Sequence, residues 1–149
     1  MINPKHAIDN EEVSFADGYP LLVISKASLE DLNSKLDTSI RMERFRPNIV
    51  VEGEVPYGED YWNWFKIRDL NFRGIKPCAR CIMTTINPQT GMREGVEPVK
   101  TLASFRKRNN KIFFGMNVVW SHVKDAKVAL PTIHVGDVVE VLSRQDFVE

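Results

Sequence analysis

Pro20-Leu21-Leu22-Val23-Ile24 is a short apolar run that follows Gly18, and it reads as a buried strand. What comes next changes period. Leu29, Leu32 and Leu36 recur at helical spacing. Ser25 and Ser28 stand ahead of them as candidate N-caps, with Asp31 three residues after Ser28 in a capping-box-like position. The expectation is a strand followed directly by an amphipathic helix over residues 27–36.

The strand signal returns downstream. Residues 48–52 form an apolar run between Pro47 and Gly53. The aromatic cluster at 61–65 leads into alternation through Phe65, Ile67, Phe72 and Ile75, which predicts strands before Pro77. Residues 81–86 are rich in Ile and Thr and read as β, and Asn87-Pro88-Gln89-Thr90-Gly91 reads as a turn. Val99, Leu102, Ala103 and Phe105 predict a second helix over 99–107 with basic residues at its end. Residues 112–120 read as a strand with Gly115 as a bulge or close-approach point, and 138–142 as another after a Gly136-Asp137 turn. Six or seven short strands and two helices predict a mainly β domain, β-rich α+β, with a barrel-like sheet and helices packed outside. Residues 1–12 are polar and carry Pro4, so a flexible segment is expected there and the folded domain over 13–149.

Composition sets the outer limits. A chain of 149 residues supports one domain that buries roughly two thirds of its unfolded surface without disulfide staples. The 43% hydrophobic and 27% charged fractions exclude wholesale disorder. Twenty basic and twenty acidic residues cancel, which argues against generic nucleic-acid binding. No run of about 18 apolar residues marks a membrane span, and the first ten residues hold no secretory signal. Two cysteines do not make a secreted disulfide framework, so a cytoplasmic protein is expected.

Chemistry concentrates at Pro77-Cys78-Ala79-Arg80-Cys81. A structural zinc site needs four ligands, whereas this chain has two cysteines and scattered histidines at His6, His122 and His134. A redox CxxC normally opens a helix, whereas Cys81 leads into the β-favouring residues 82–86. A third reading is one thiolate on a soft metal, with Arg80 beside it to favour the ionised form. The fourth is two incidental thiols. Arg46 and Asn48 flank Pro47; in an extended segment both would face one side, where Arg46 suits an anion and Asn48 both donates and accepts. Otherwise they are a surface ion-pair residue and a strand start. Asp17, before Gly18, is either a turn residue or a carboxylate for a polar ligand. Asn117 is a polar residue in an apolar strand, which needs a partner if it points inward.

Eight segments in order extend this picture: Phe-Ala-Asp-Gly-Tyr-Pro-Leu-Leu (15–22), Ser-x-x-Ser-Leu-x-x-Leu-Asn (25–33), Arg-Phe-Arg-Pro-Asn-Ile-Val-Val (44–51), Glu-Asp-x-Trp (59–62), Pro-Cys-x-Arg-Cys-x-x-Thr-Thr (77–85), Pro-x-Thr-Gly (88–91), Phe-Gly-Met-Asn (114–117) and Val-Gly-Asp-x-Val (135–139). Together they resemble the MOSC domain family, named for the C-terminus of molybdenum cofactor sulfurase. Within it they are most similar to the amidoxime-reducing components and the bacterial proteins that detoxify N-hydroxylated bases. The resemblance implies a MOSC-type β-barrel that binds the molybdenum cofactor, a metal held by a phosphorylated pyranopterin dithiolene. It implies that Cys81 is the molybdenum ligand and the catalytic position, and that Asp17, Arg46, Asn48, Arg80 and Asn117 contact the cofactor. Cys78 is then a neighbour without ligand duty. At the level of the family the resemblance also brings pyridoxal phosphate binding.

The function implied is a molybdenum-dependent reductase of small N-hydroxylated substrates, with a non-catalytic cofactor or sulfur carrier as the alternative. Members of the subgroup usually carry an additional N-terminal β-barrel domain that completes the pocket, and bacterial ones often a C-terminal iron–sulfur domain. Two cysteines cannot supply the four thiolates of such a cluster. A partner domain or a separate redox protein is therefore expected to act with this chain, and neither nucleic acid nor membrane is.

Overall fold

The structure is a computed structural model that describes residues 19–121 and 132–148. In chain order it contains β1 (Leu21–Ser25), α1 (Lys26–Asn33), β2 (Ile49–Val51), β3 (Trp62–Ile67), β4 (Leu70–Arg80), α2 (Val99–Arg106), β5 (Lys107–Arg108), β6 (Lys111–Ser121) and β7 (Val139–Arg144). Single 3-10 turns lie at Met42–Phe45, Gly58–Tyr61 and Ile82–Thr85. The strands form one sheet in the order β2-β1-β6-β4-β3-β7, with β5 hairpinned onto β6. Only β1 and β2 run parallel, and α1 lies in the crossover between them.

Two apolar layers fix the shape. Val23, Val51, Trp62, Phe65, Met116 and Val118 pack into one cluster, although β2 and β3 stand near opposite ends of the sheet. The sheet can bring them together only by curling, and it forms a half-barrel around them. The convex side carries a second cluster of Leu22, Ile24, Leu32, Phe45, Leu102 and Phe114, which buries α1 and α2. Strand alternation explains β1, where Leu22 and Ile24 face outward to the helices and Val23 faces inward. β6 breaks the rule at Gly115. Phe114 packs on the helix side and Met116 inside, so two positions that should share a face do not. Gly115 has φ +80°, and a Cβ there would sit 2.9 Å from the Val23 carbonyl oxygen and 2.6 Å from Ile24 Cγ1. The bulge thus requires glycine, and it turns Asn117 to the helix side.

The structure corrects several expectations. The strand ahead of Pro77 runs through it as far as Arg80, with irregular register on either side of the proline. Residues 82–85 are a 3-10 turn and not β. The Thr84 hydroxyl donates to the Cys81 carbonyl at 3.0 Å and the Thr85 hydroxyl to that of Ile82 at 2.6 Å. These side-chain bonds stabilise the turn against the β preference of the residues. α1 ends at Asn33, not Leu36, because the Asn33 amide captures the backbone of Ile40 through both its oxygen and its nitrogen. Ser25 caps α1, accepting from Ser28 N–H at 3.1 Å, but Asp31 bonds Lys35 and Tyr57 instead of closing a capping box. Of the strand expected at 138–142, Val139 and Val141 pack against the inner cluster while Val138 and Leu142 are exposed, as alternation along β7 gives. The segment 1–12 lies outside the described residues.

Below α1 sit two buried acids. Glu59 is fully buried; it accepts from Ser25 N–H at 3.0 Å and from the Ser28 hydroxyl at 2.8 and 2.9 Å. It therefore joins the 3-10 turn at Gly58–Tyr61 to the start of the helix. Asp60 pairs with Arg106 of α2, whose guanidinium also lies 4.3 Å from the Tyr57 ring centre. Burial pushes the Asp60 carboxyl up to about 6 against the opposing pull of Arg106. At neutral pH it is ionised and paired.

Glu59→Ala should cost about 2–4 kcal/mol in urea unfolding, because a buried backbone N–H and a buried hydroxyl lose their acceptor. Glu52→Ala, which removes an exposed pair with Lys26, should cost about 0.5 kcal/mol or less. A raised native pKa for Asp60 means that the folded state holds a proton the unfolded chain releases between pH of about 4 and about 6. The stability difference between wild type and Asp60→Asn should therefore fall as pH rises through that window and level off outside it. A difference that rises through the window would show the opposite sign of shift.

Candidate functional site

Three strands and one turn bring the polar residues together on the helix side of the sheet. Asn48, just before β2, uses its side chain as backbone: Oδ1 accepts from Leu22 N–H at 2.8 Å, and Asn48 N–H donates to the Leu22 carbonyl at 2.9 Å. Leu22 pairs across β1–β6 with Asn117, and Asn117 pairs across β6–β4 with Lys76. A row thus runs from Asn48, ahead of β2, through Leu22, Asn117 and Lys76 on three neighbouring strands. Asn117 is half-buried, and the Lys76 ammonium lies 5.4 Å from the Tyr19 ring centre. From Lys76 the strand β4 continues through Cys78 and Arg80 to Cys81, where it ends.

Arg80 fixes that end. Its Nε–H donates to the Phe114 carbonyl at 2.8 Å and its Nη1–H to the Phe45 carbonyl at 3.2 Å, while the guanidinium lies 5.4 Å from the Phe45 ring centre. Its Nη2 is buried with no partner among the described residues. Burial lowers the Arg80 guanidinium from its usual range, and the Cys78 and Cys81 thiols pull it the other way. Both sulfurs therefore lie within the electrostatic reach of this one cation.

The bond to Phe45 also places Arg46, the next residue. Arg46 is exposed, with φ 55° and ψ 49° in the left-handed region. That backbone costs a non-glycine residue roughly 1–2 kcal/mol. Arg46 is thus not extended, and the shared face expected for Arg46 and Asn48 does not arise from strand alternation. The two thiols differ: Cys78 is half-buried and packs against the helix-side core, whereas Cys81 is exposed at the strand end. Cys81 opens the 3-10 turn rather than a β segment. That turn has four residues, too few for the long helix of a CxxC redox centre.

Of the residues singled out from sequence, Arg46, Asn48, Arg80, Cys81 and Asn117 fall on this region, and Asp17 lies outside the described residues. Lys76 and Tyr19 were missed. The signal for Lys76 was a lysine between Ile75 and Pro77, in step with Cys78 on one strand face. Among the described residues no three His, Cys, Asp or Glu side chains come together. A bare metal ion has no cage here. A metal that arrives with its own ligands needs only one protein donor, and the exposed Cys81 thiol meets that need. Lys76, Arg80 and Arg46 suit an anionic group, and the buried Arg80 Nη2–H is a donor that no described protein group uses. The donor set fits a pyranopterin-borne metal.

Arg80 and Arg46 should separate cleanly in stability. Arg80→Met keeps the apolar stem but removes two bonds to buried carbonyls, and should cost about 2–3 kcal/mol in chemical denaturation. Arg46→Gly relieves a left-handed residue and should change stability by no more than about 1 kcal/mol. A large loss on Arg46→Gly would place Arg46 in the framework instead of the site.

Comparison with known proteins agrees with this geometry. The family model described as the MOSC domain matches residues 10–140. The human mitochondrial amidoxime-reducing component 1 is 41% identical over 134 residues, covering 85% of this chain and 40% of that protein. The mouse protein of the same name is 45% identical over 96 residues, covering 64% of this chain and 28% of its own length. The molybdenum cofactor sulfurase of Arabidopsis thaliana is 39% identical over 114 residues, covering 69% of this chain and 14% of its own. The chain spans less than half the length of each of these relatives. A half-barrel with an exposed thiol at the end of β4, Arg80 next to it in the chain and a family match over residues 10–140 lead to one assignment: this chain belongs to the MOSC domain family.

Proposed function

We propose that this chain holds the molybdenum cofactor through the Cys81 thiolate and, with it, reduces the N–O bond of small N-hydroxylated compounds. The observation that carries the reading is the exposed Cys81 beside Arg80, a half-buried cation whose buried Nη2 has no partner among the described residues. The names of the amidoxime-reducing relatives support the substrate class. When bound, the cofactor supplies two-electron exchange of an oxygen atom at its metal. Arg80 holds the ligand sulfur's strand in place and offers charge to the pyranopterin's anionic groups. Arg46 and Lys76 add cations, Asn48 keeps its amide nitrogen for a pterin edge while its oxygen serves the fold, and Asn117 faces the same row. Asp17 belongs to the proposal on the resemblance alone.

The overall reaction converts R–NH–OH, two electrons and two protons into R–NH₂ and water. The N–O bond breaks, an N–H bond forms, and the oxygen leaves as water. A separate redox protein supplies the electrons. In this reading solvent supplies the protons. Pyridoxal phosphate has no part in this reading. Likeness to a molybdenum cofactor sulfurase favours a second reading, in which the domain carries the cofactor or its sulfur to a partner without reducing anything.

The test is expression in a host that makes the cofactor, followed by metal analysis and assay of an N-hydroxylated compound with a supplied reductant. Cys81→Ser should lose molybdenum-dependent reduction, and Cys78→Ser should keep most of it. Equal loss in both would point to a two-thiolate site. Molybdenum retained without any N–O reduction would favour the carrier.

A further inference from the structure

The 3-10 turn that begins after Cys81 forms one wall of an apolar cleft of about 300 Å³, lined by Ile82, Thr85, Arg93, Val96, Val99 and Lys100. It is anchored to Cys81 itself, since Thr84 N–H and the Thr84 hydroxyl both donate to the Cys81 carbonyl. Ile82 is 61% exposed and Val96 54%, with Met83 (61%) and Met92 (67%) on the same stretch of chain. An apolar concentration of this kind beside an exposed thiol is the kind of surface that ligands occupy.

Charge along the wall is segregated. The segment from Arg93 to Thr101 gives Arg93, Val96, Val99 and Lys100 to this cleft, and gives Glu94, Glu97 and Thr101 to a different, polar cleft of about 710 Å³. Glu94 is tied there by Arg44 at 2.7 Å and Asn87 at 2.7 Å, and Glu97 by Thr101 N–H at 3.0 Å. Among the described residues, the cleft beside the turn after Cys81 is therefore lined by two cations and no carboxylate.

We infer that this cleft takes the apolar body of the substrate and selects by charge, admitting the neutral N-hydroxylated compound and repelling the protonated base made from it. The inference rests on the reductase reading for the identity of substrate and product. Its chemistry is simple. A hydroxyl on nitrogen lowers basicity, so an aryl amidoxime is neutral at pH 7. The amidine left after reduction is a cation. A like charge beside the exposed Arg93 and Lys100 is unfavourable. Product release is thereby coupled to the change in charge that reduction produces.

The experiment compares benzamidoxime and benzamidine as ligands of the full chain at pH 7, read by methyl chemical-shift titration. It needs no turnover and no bound metal. Benzamidoxime should shift the Ile82, Val96 and Val99 methyl groups and bind about tenfold more tightly than benzamidine. Raising the salt concentration should shrink that ratio, because exposed charges are screened. Lys100→Glu should bring the two ligands to parity, and Lys100→Arg should preserve the preference. Equal binding of the two by the wild type, tighter binding of benzamidine, shifts confined to other methyl groups, no binding of either, or an unchanged ratio in Lys100→Glu would each overturn the inference. If the cofactor-loaded chain reduces no N-hydroxylated compound while this selectivity is present, only the reductase reading falls.

Discussion

Arg80 gives one N–H to the Phe114 carbonyl and another to the Phe45 carbonyl, so a single side chain locks the end of β4 against β6 and against the turn that precedes Arg46. Those three pieces of chain come from residues far apart in sequence, and each brings part of the site. The cost of burying a guanidinium is offset only by such bonds and by the Phe45 ring beneath it. Rigidity follows from this. The Cys81 thiol stands at the end of an eleven-residue strand whose last side chain is pinned on two sides, and its following turn closes on its own hydroxyls. In the proposed function that stiffness would help to orient a metal held through the one sulfur.

A second buried device supports the first from a distance. Glu59 fixes the start of α1 to the chain before β3, and Asp60 ties the same turn to α2 through Arg106. The two helices thus lean on one pair of acids, and the helix-side core beneath them includes Phe45 and Phe114, whose carbonyls receive Arg80. The tilted contact of these two rings, with centroids 4.3 Å apart, connects the helix layer to the site.

Much of this was legible in the sequence, and the failures have physical causes. Local runs such as 20–24 announced β1, and turn residues announced the breaks at 87–91 and 136–137. The family motifs led to Arg46, Asn48, Arg80, Cys81 and Asn117 as one group. What local pattern could not supply was tertiary override. Pro77 sits inside a strand because register irregularities accommodate it, and residues 82–85 turn because two threonine hydroxyls satisfy backbone carbonyls. The dual role of Asn48 could not be read either, since its partner Leu22 lies 26 positions away. An extended segment would have put Arg46 and Asn48 on one face, but the turn before Arg46 places it in the left-handed region. Glu59 and Asp60 stood out only as part of the 59–62 segment, and it is the fold that shows them buried.

The sheet order carries a consequence for how the protein is made. β3 pairs with β4 on one side and with β7 on the other, so Phe65 faces Phe72 nearby in sequence and Val141 near the far end. As the ribosome releases the chain from its N-terminus, β1, β2, β4 and β6 have all emerged before β7 exists. During that interval β3 presents a free edge, with Trp62, Phe65 and Ile67 on the strand that bears it. Unpaired apolar edges are where nascent chains adhere to one another. Among the described strands, this edge of β3 is therefore the last to be paired, and the sheet is complete only once β7 has been made.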